Sequence, residues 1–133
     1  MTLLRLLCEA RYDVSLETSG ALSIAEVDPR VSRVMDLKAP DSGEASRNCW
    51  QNLSCLTSRD AVKFVIASQR DFDWSVDVVC RYALETRVKE VLFSPVFGVV
   101  QPSVLAEWVL KSGLDVRFQL QLHKVVWGDR PGV

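Results

Sequence analysis

Apolar residues recur along this chain in two rhythms that alternate with each other. Leu3, Leu4, Leu7 and Ala10 share a helical face, which predicts a helix over about residues 2–11. Val14 to Thr18 predicts a short strand, stopped by the turn pair Ser19-Gly20. Val31 to Lys38 predicts a second strand, ended by Ala39-Pro40-Asp41-Ser42-Gly43. Residues 44–53 predict a short helix carrying Trp50, and Val62, Phe64 and Ile66 alternate with Lys63 and Val65 as a third strand. Asp71 is the expected cap of the next helix, whose apolar stripe is Phe72, Val76, Val79, Cys80 and Ala83. Val88 to Phe93 predicts a fourth strand. Pro102 opens a further helix with Val104, Leu105, Trp108 and Val109 as its buried stripe, and Gly113 closes it. The last strand is expected over Val116 to His123. Val116, Phe118, Leu120 and Leu122 would share one face, and Arg117, Gln119, Gln121 and His123 the other.

Strands that alternate with helices imply an α/β fold with right-handed crossovers and a mainly parallel sheet. The strands read here are too few for a closed eight-stranded barrel, so they suit part of a barrel or an open sheet. Residues 1–133 read as a single domain with no repeat or linker. In parallel architectures ligands gather at the C-terminal ends of strands. That rule selects Glu17-Thr18-Ser19, Asp36-Leu37-Lys38, Ser94-Pro95 and Gln121 to His123.

Composition narrows the partners. A net charge of −1 gives no electrostatic footprint for nucleic acid or an anionic membrane. No apolar run approaches a membrane span, and Met1 to Glu9 lacks a basic leader region, so a cytoplasmic protein is expected. Cys8, Cys49, Cys55 and Cys80 form no CxxC pair and no CxxxCxxC motif. They read as separate reduced thiols, with no metal site. The four tryptophans, Trp50, Trp74, Trp108 and Trp127, read as packing anchors.

Each strand end has a plain reading beside a functional one. Thr18-Ser19-Gly20 suits a turn whose hydroxyls bond local backbone, or a polar cofactor site with Glu17. Asp36 and Lys38 suit a solvent-exposed pair, or partners for the ammonium, carboxylate or ribose hydroxyls of a ligand. Pro95 stiffens a turn, and Phe97 either stacks on an adenine or fills core. His123, the lone histidine, reads as a structural imidazole, because no serine and acid clearly join it. No catalytic residue is assigned.

Ser15 to Ala21, Asp36 to Pro40, Phe93 to Gly98 and Phe118 to Asp129 occur in an order that resembles the 7-carboxy-7-deazaguanine synthases. These are radical S-adenosylmethionine (SAM) enzymes of queuosine-type deazapurine biosynthesis, a tRNA modification pathway. The resemblance runs from about Leu7 to Val133 and looks like the C-terminal part of that enzyme. It implies a partial triosephosphate-isomerase-type barrel whose first strands are missing. It places Glu17, Thr18, Ser19, Asp36, Leu37, Lys38, Ser94, Pro95, Val96 and Phe97 around SAM. Gln121, His123 and the terminal carboxylate of Val133 fall on the substrate side.

The resemblance also implies an activity. Such a lyase uses a 4Fe-4S cluster, SAM and Mg²⁺ to contract the ring of 6-carboxy-5,6,7,8-tetrahydropterin, with loss of ammonia, and is usually a homodimer. The cluster cysteines and a Gly-Gly-Glu-Pro segment would precede Met1, so the chain alone is expected to be inactive. The alternatives are one chain of a split enzyme, or a non-catalytic SAM- or nucleotide-binding module. Arg11 departs from the family, which has glycine between the positions of Ala10 and Tyr12. A non-glycine there costs about 1 kcal/mol. Missing strands should leave a sheet edge and apolar helix faces exposed.

Overall fold

The computed structural model describes residues 2–128 and 130. Five strands form one sheet: β1 (Ser15–Thr18), β2 (Ser32–Leu37), β3 (Ala61–Ile66), β4 (Glu90–Pro95) and β5 (Arg117–Phe118). Every neighbouring pair is parallel and the spatial order is the chain order, β1 to β5. A doubly wound sheet reverses its order at a switch point, whereas a barrel wall does not. The sheet is therefore an open α/β sheet with the topology of a barrel segment.

The register divides the side chains between two faces. Met35, Leu37, Val62, Phe64, Ile66, Val91 and Phe93 lie on one and are buried. Helices α2 (Gln69–Arg81) and α4 (Pro102–Ser112) cover this face, with the short helix α3 (Leu84–Arg87) after α2. Phe72 of α2 meets Phe93 edge-on, and Trp74 meets Phe64 in the same way. Trp108 of α4 packs against Phe72. The opposite face carries Glu17, Val34, Asp36, Lys63, Val65 and Leu92, and Asp36 stands in register with Lys63. This is the face a barrel would turn inward.

Strand and helix assignments hold with shifts at their ends, and the exceptions have local causes. Helix α1 (Thr2–Glu9) is followed by Arg11, whose φ of 64° is the left-handed geometry usually given to glycine after a helix. The helix expected over residues 44–53 is instead a series of 3₁₀ turns at Pro40–Ser42, Ala45–Arg47 and Trp50–Cys55. Asparagine side chains in this stretch bond distant backbone, which competes with regular helix formation. Ser68, not Asp71, caps α2, its hydroxyl accepting the Asp71 N–H. The buried stripe of α2 is Asp71, Phe72, Ser75, Val78 and Val79, while Cys80 and Ala83 face out. Val104 of α4 is likewise exposed.

The strand expected over Val116 to His123 is the largest departure. Only Arg117 and Phe118 pair, with Leu92 and Phe93. The Gln119 N–H still donates to the Phe93 carbonyl, and then the ladder has nothing to extend along. Its neighbour β4 ends at Pro95, which has no N–H to offer, and among the described residues no strand flanks β5 on its other side. The chain coils into α5 (Leu122–Trp127) instead, leaving Leu122 and Trp127 exposed. His123 and Gln121 therefore do not share a strand face, and Trp127 is not a packing anchor.

Gly20 marks the tightest turn near the strand ends. Its φ is +72°, and a Cβ there would lie 2.8 Å from the Asp36 carbonyl oxygen. Gly20→Ala is expected to lower stability by more than about 1 kcal/mol through backbone strain and this backbone clash. A thermal melt that superimposes on wild type would refute this.

Candidate functional site at the strand ends

The ends of β1 and β2 meet in a polar cleft of about 230 Å³, lined by Glu17, Thr18, Ser19, Val34, Asp36, Lys38 and Lys63. A larger cleft of about 610 Å³ starts from the same Asp36 and Lys38. It crosses the ends of β3 and β4 to Val96 and reaches Gln121. Asp36 and Lys38 are thus the hinge between the two clefts. They sit two residues apart at the end of β2, so period two sends both side chains to the open face.

Lys38 Nζ donates to Asp36 Oδ2 at 2.7 Å. Asp36 Oδ1 is buried and has no hydrogen-bond partner among the described residues. A buried acceptor left unpaired costs about 1–3 kcal/mol, so such an atom in a cleft marks a place where a donor belongs. Lys63, half-buried beside Asp36, adds a second ammonium to the cleft wall.

The other expected site residues sort by geometry. Thr18 Oγ1 accepts the Gly20 N–H at 3.2 Å, so the turn reading of this segment is realised while Thr18 still lines the cleft. Leu37 has its side chain in the core, leaving only its backbone to border the larger cleft. Ser94 is buried, and its hydroxyl donates to the Gln119 carbonyl at 2.7 Å, stapling β4 to the segment after β5. The Val96 N–H donates to Ile66, which fixes the turn after Pro95. Phe97 is 45% exposed with the Lys124 ammonium 5.7 Å from its ring centre, so it is not core. His123 is exposed on α5 and lines neither cleft. Val133 lies outside the described residues.

Three polar residues that the pattern reading passed over hold these loops in place. Asn48 accepts the Lys38 N–H at 3.0 Å and donates to the Lys38 carbonyl at 2.9 Å. Asn52 accepts the Ile24 N–H and donates to the Leu22 carbonyl, fixing the loop after β1. Asp71, fully buried, accepts the Asp41 N–H at 2.9 Å and the Ala67 N–H at 3.0 Å. A pair of asparagines four residues apart was the one sequence signal for the first two. Nothing in the pattern marked Asp71 as more than a cap.

No three His, Cys, Asp or Glu side chains gather where one metal ion could sit among the described residues. The cysteines are unpaired, with Cys80 exposed and the others half-buried. The residues described here do not fit an iron–sulfur cluster.

Charged groups converge at the strand ends of this parallel α/β barrel segment, the place where folds of that class put their ligand sites. No family model matches the chain. Comparison with curated proteins places it beside the 7-carboxy-7-deazaguanine synthases. The protein of that name from Chlorobaculum tepidum is 41% identical over 98% of this chain and 61% of its own length. Those from Koribacter versatilis and Leptospira interrogans are 38% and 39% identical, over 87% and 89% of this chain. The chain spans 50–61% of the length of these relatives. The resemblance read from the strand ends is borne out: the chain is similar to part of the 7-carboxy-7-deazaguanine synthases.

Proposed function

We propose that this chain supplies the SAM-binding strand ends of a 7-carboxy-7-deazaguanine synthase. The observation that carries the reading is the buried, unpaired Asp36 Oδ1 beside Lys38 in a cleft shared with Glu17, Thr18 and Ser19. SAM offers ribose hydroxyls and an ammonium to a carboxylate, and a carboxylate to an ammonium, so the donor set fits. Asp36 Oδ1 accepts one ligand donor, Lys38 keeps N–H groups beyond the one given to Asp36, and Val96 walls the apolar side of the larger cleft. Gln121 faces the substrate, 6-carboxy-5,6,7,8-tetrahydropterin, from the far rim. When bound, SAM supplies the radical that begins ring contraction by this carbon–nitrogen lyase. The cluster, Mg²⁺ and the remaining strands belong to the part of the relatives outside the matched stretch. The working enzyme is a cytoplasmic homodimer of queuosine biosynthesis.

A chimera tests this directly. Residues 2–133 replace the matching stretch of the Chlorobaculum tepidum protein, and formation of 7-carboxy-7-deazaguanine is assayed. The chimera is expected to be active, with SAM affinity falling roughly 10- to 100-fold in Lys38→Ala, the loss of a charge-assisted contact. A folded chimera that binds no SAM would sink the reading.

A further inference from the structure

We propose that Asn48 is a positioning residue that sets Lys38 for ligand binding. The inference rests on the reading of Asp36 and Lys38 as part of a SAM site. Lys38 is the first residue beyond β2, where sheet pairing has stopped and the main chain must be held by something else. The Asn48 side-chain amide does this with one acceptor and one donor, taking the N–H and the carbonyl of the same residue at 3.0 and 2.9 Å. A primary amide presents those two groups in one plane, so it substitutes for the neighbouring strand that Lys38 lacks. Asn48 is 8% exposed, so water competes poorly for either bond.

The same short segment acts on the other rim of the cleft. The Cys49 N–H donates to the Gly20 carbonyl at 2.9 Å, and Asn52 holds Leu22 and Ile24. Both loops bordering the polar cleft are thereby tied to residues 48–52. Fixing the Lys38 main chain limits where its ammonium can go, which keeps it on Asp36 Oδ2 and leaves Oδ1 without a partner among the described residues. Pre-organisation of this kind adds affinity without adding contacts. Asn48 reaches the ligand only through Lys38, so the two substitutions must not add.

The test is a double-mutant cycle in the Chlorobaculum tepidum chimera, which supplies the remainder of the site, with SAM affinity read by titration calorimetry below every variant's melting temperature. Asn48→Ala is expected to weaken SAM roughly tenfold in the wild-type background and by less than about twofold in Lys38→Ala. Val79→Ala, a buried change in α2, controls for general destabilisation and should leave affinity unchanged. If Asn48→Ala does not fold, Asn48→Asp serves in the same cycle, since it keeps the acceptor for the Lys38 N–H and opposes the carbonyl with oxygen. Additive losses overturn the proposal, as does an Asn48 variant that binds SAM like wild type. An unsubstituted chimera that binds SAM while its Lys38→Ala variant binds equally well also overturns it. Absence of saturable binding by the folded, unsubstituted chimera overturns the reading of the site, and this inference with it.

Discussion

Replacing Asp60 with alanine is expected to remove about 3–5 kcal/mol of stability, the cost of leaving a buried charge without its partner. Asp60 and Arg33 are both buried and lie beneath the sheet at the start of β3. One carboxylate oxygen takes the Arg33 N–H at 2.8 Å and its Nε at 3.0 Å. The other takes Arg33 Nη2 at 3.0 Å, with the Thr57 N–H at 2.7 Å and its hydroxyl at 2.9 Å. Removing the acid orphans all of these donors at once, in a place water does not reach. Domains of this size hold about 5–15 kcal/mol in total, so the variant should sit near its unfolding midpoint in mild denaturant. The double variant Arg33→Met, Asp60→Ala should recover part of the loss, because it removes the stranded cation. Urea melts at neutral pH decide the matter, and a loss under about 1 kcal/mol would contradict it.

The same carboxylate links stability to acid. Burial pushes the Asp60 pKa up, but the hydrogen bonds from Arg33 and Thr57 outweigh it and hold the pKa below its ordinary value. A carboxylate depressed in the folded state adds stability that is complete above its unfolded pKa, near about 4. That stability is lost as pH falls through the folded value. Wild-type stability should therefore drop below about pH 4, and Asp60→Asn should flatten part of that slope.

Regular elements that bury a face were legible in the sequence, because burial imposes a period. β2 and β3 show this: Met35, Leu37, Phe64 and Ile66 alternate with half-buried neighbours, and both strands fall within two residues of expectation. The end of the chain misled the same rule. Leu120 and Leu122 continue the period-two pattern of Phe118, yet both are exposed, so the alternation carries too little burial to stabilise a strand. Strand ends could be located from Ser19-Gly20 and from Ala39 to Gly43, which is why Glu17, Asp36 and Lys38 were found. The residues that hold those ends could not. Asn48, Asn52, Asp60 and Asp71 act on main-chain groups 3–32 positions away, and no local period records such a bond.

Asp71→Ala is expected to damage both fold and site, and the two effects separate cleanly. Asp71 is fully buried, and each carboxylate oxygen serves a different loop. One takes the Asp41 N–H from the loop after β2, the other the Ala67 N–H just past β3. Ser68, next to Ala67, donates its hydroxyl to Asp41, and Arg70 bonds the same carboxylate at 3.0 Å, so the latch closes from both sides. Each charge-assisted bond is worth about 1.5–3 kcal/mol, and two orphaned N–H groups follow its removal. A stability loss of about 2–4 kcal/mol is expected. Asp41, Ser42 and Ala67 border the larger cleft, so its rim should loosen as well. Hydrogen exchange should show faster exchange at Asp41 and Ala67, with the β3 amides changed only through global stability. SAM binding should weaken at temperatures where the variant remains folded. Unchanged exchange at those two amides would show that the loops are held by something other than this carboxylate.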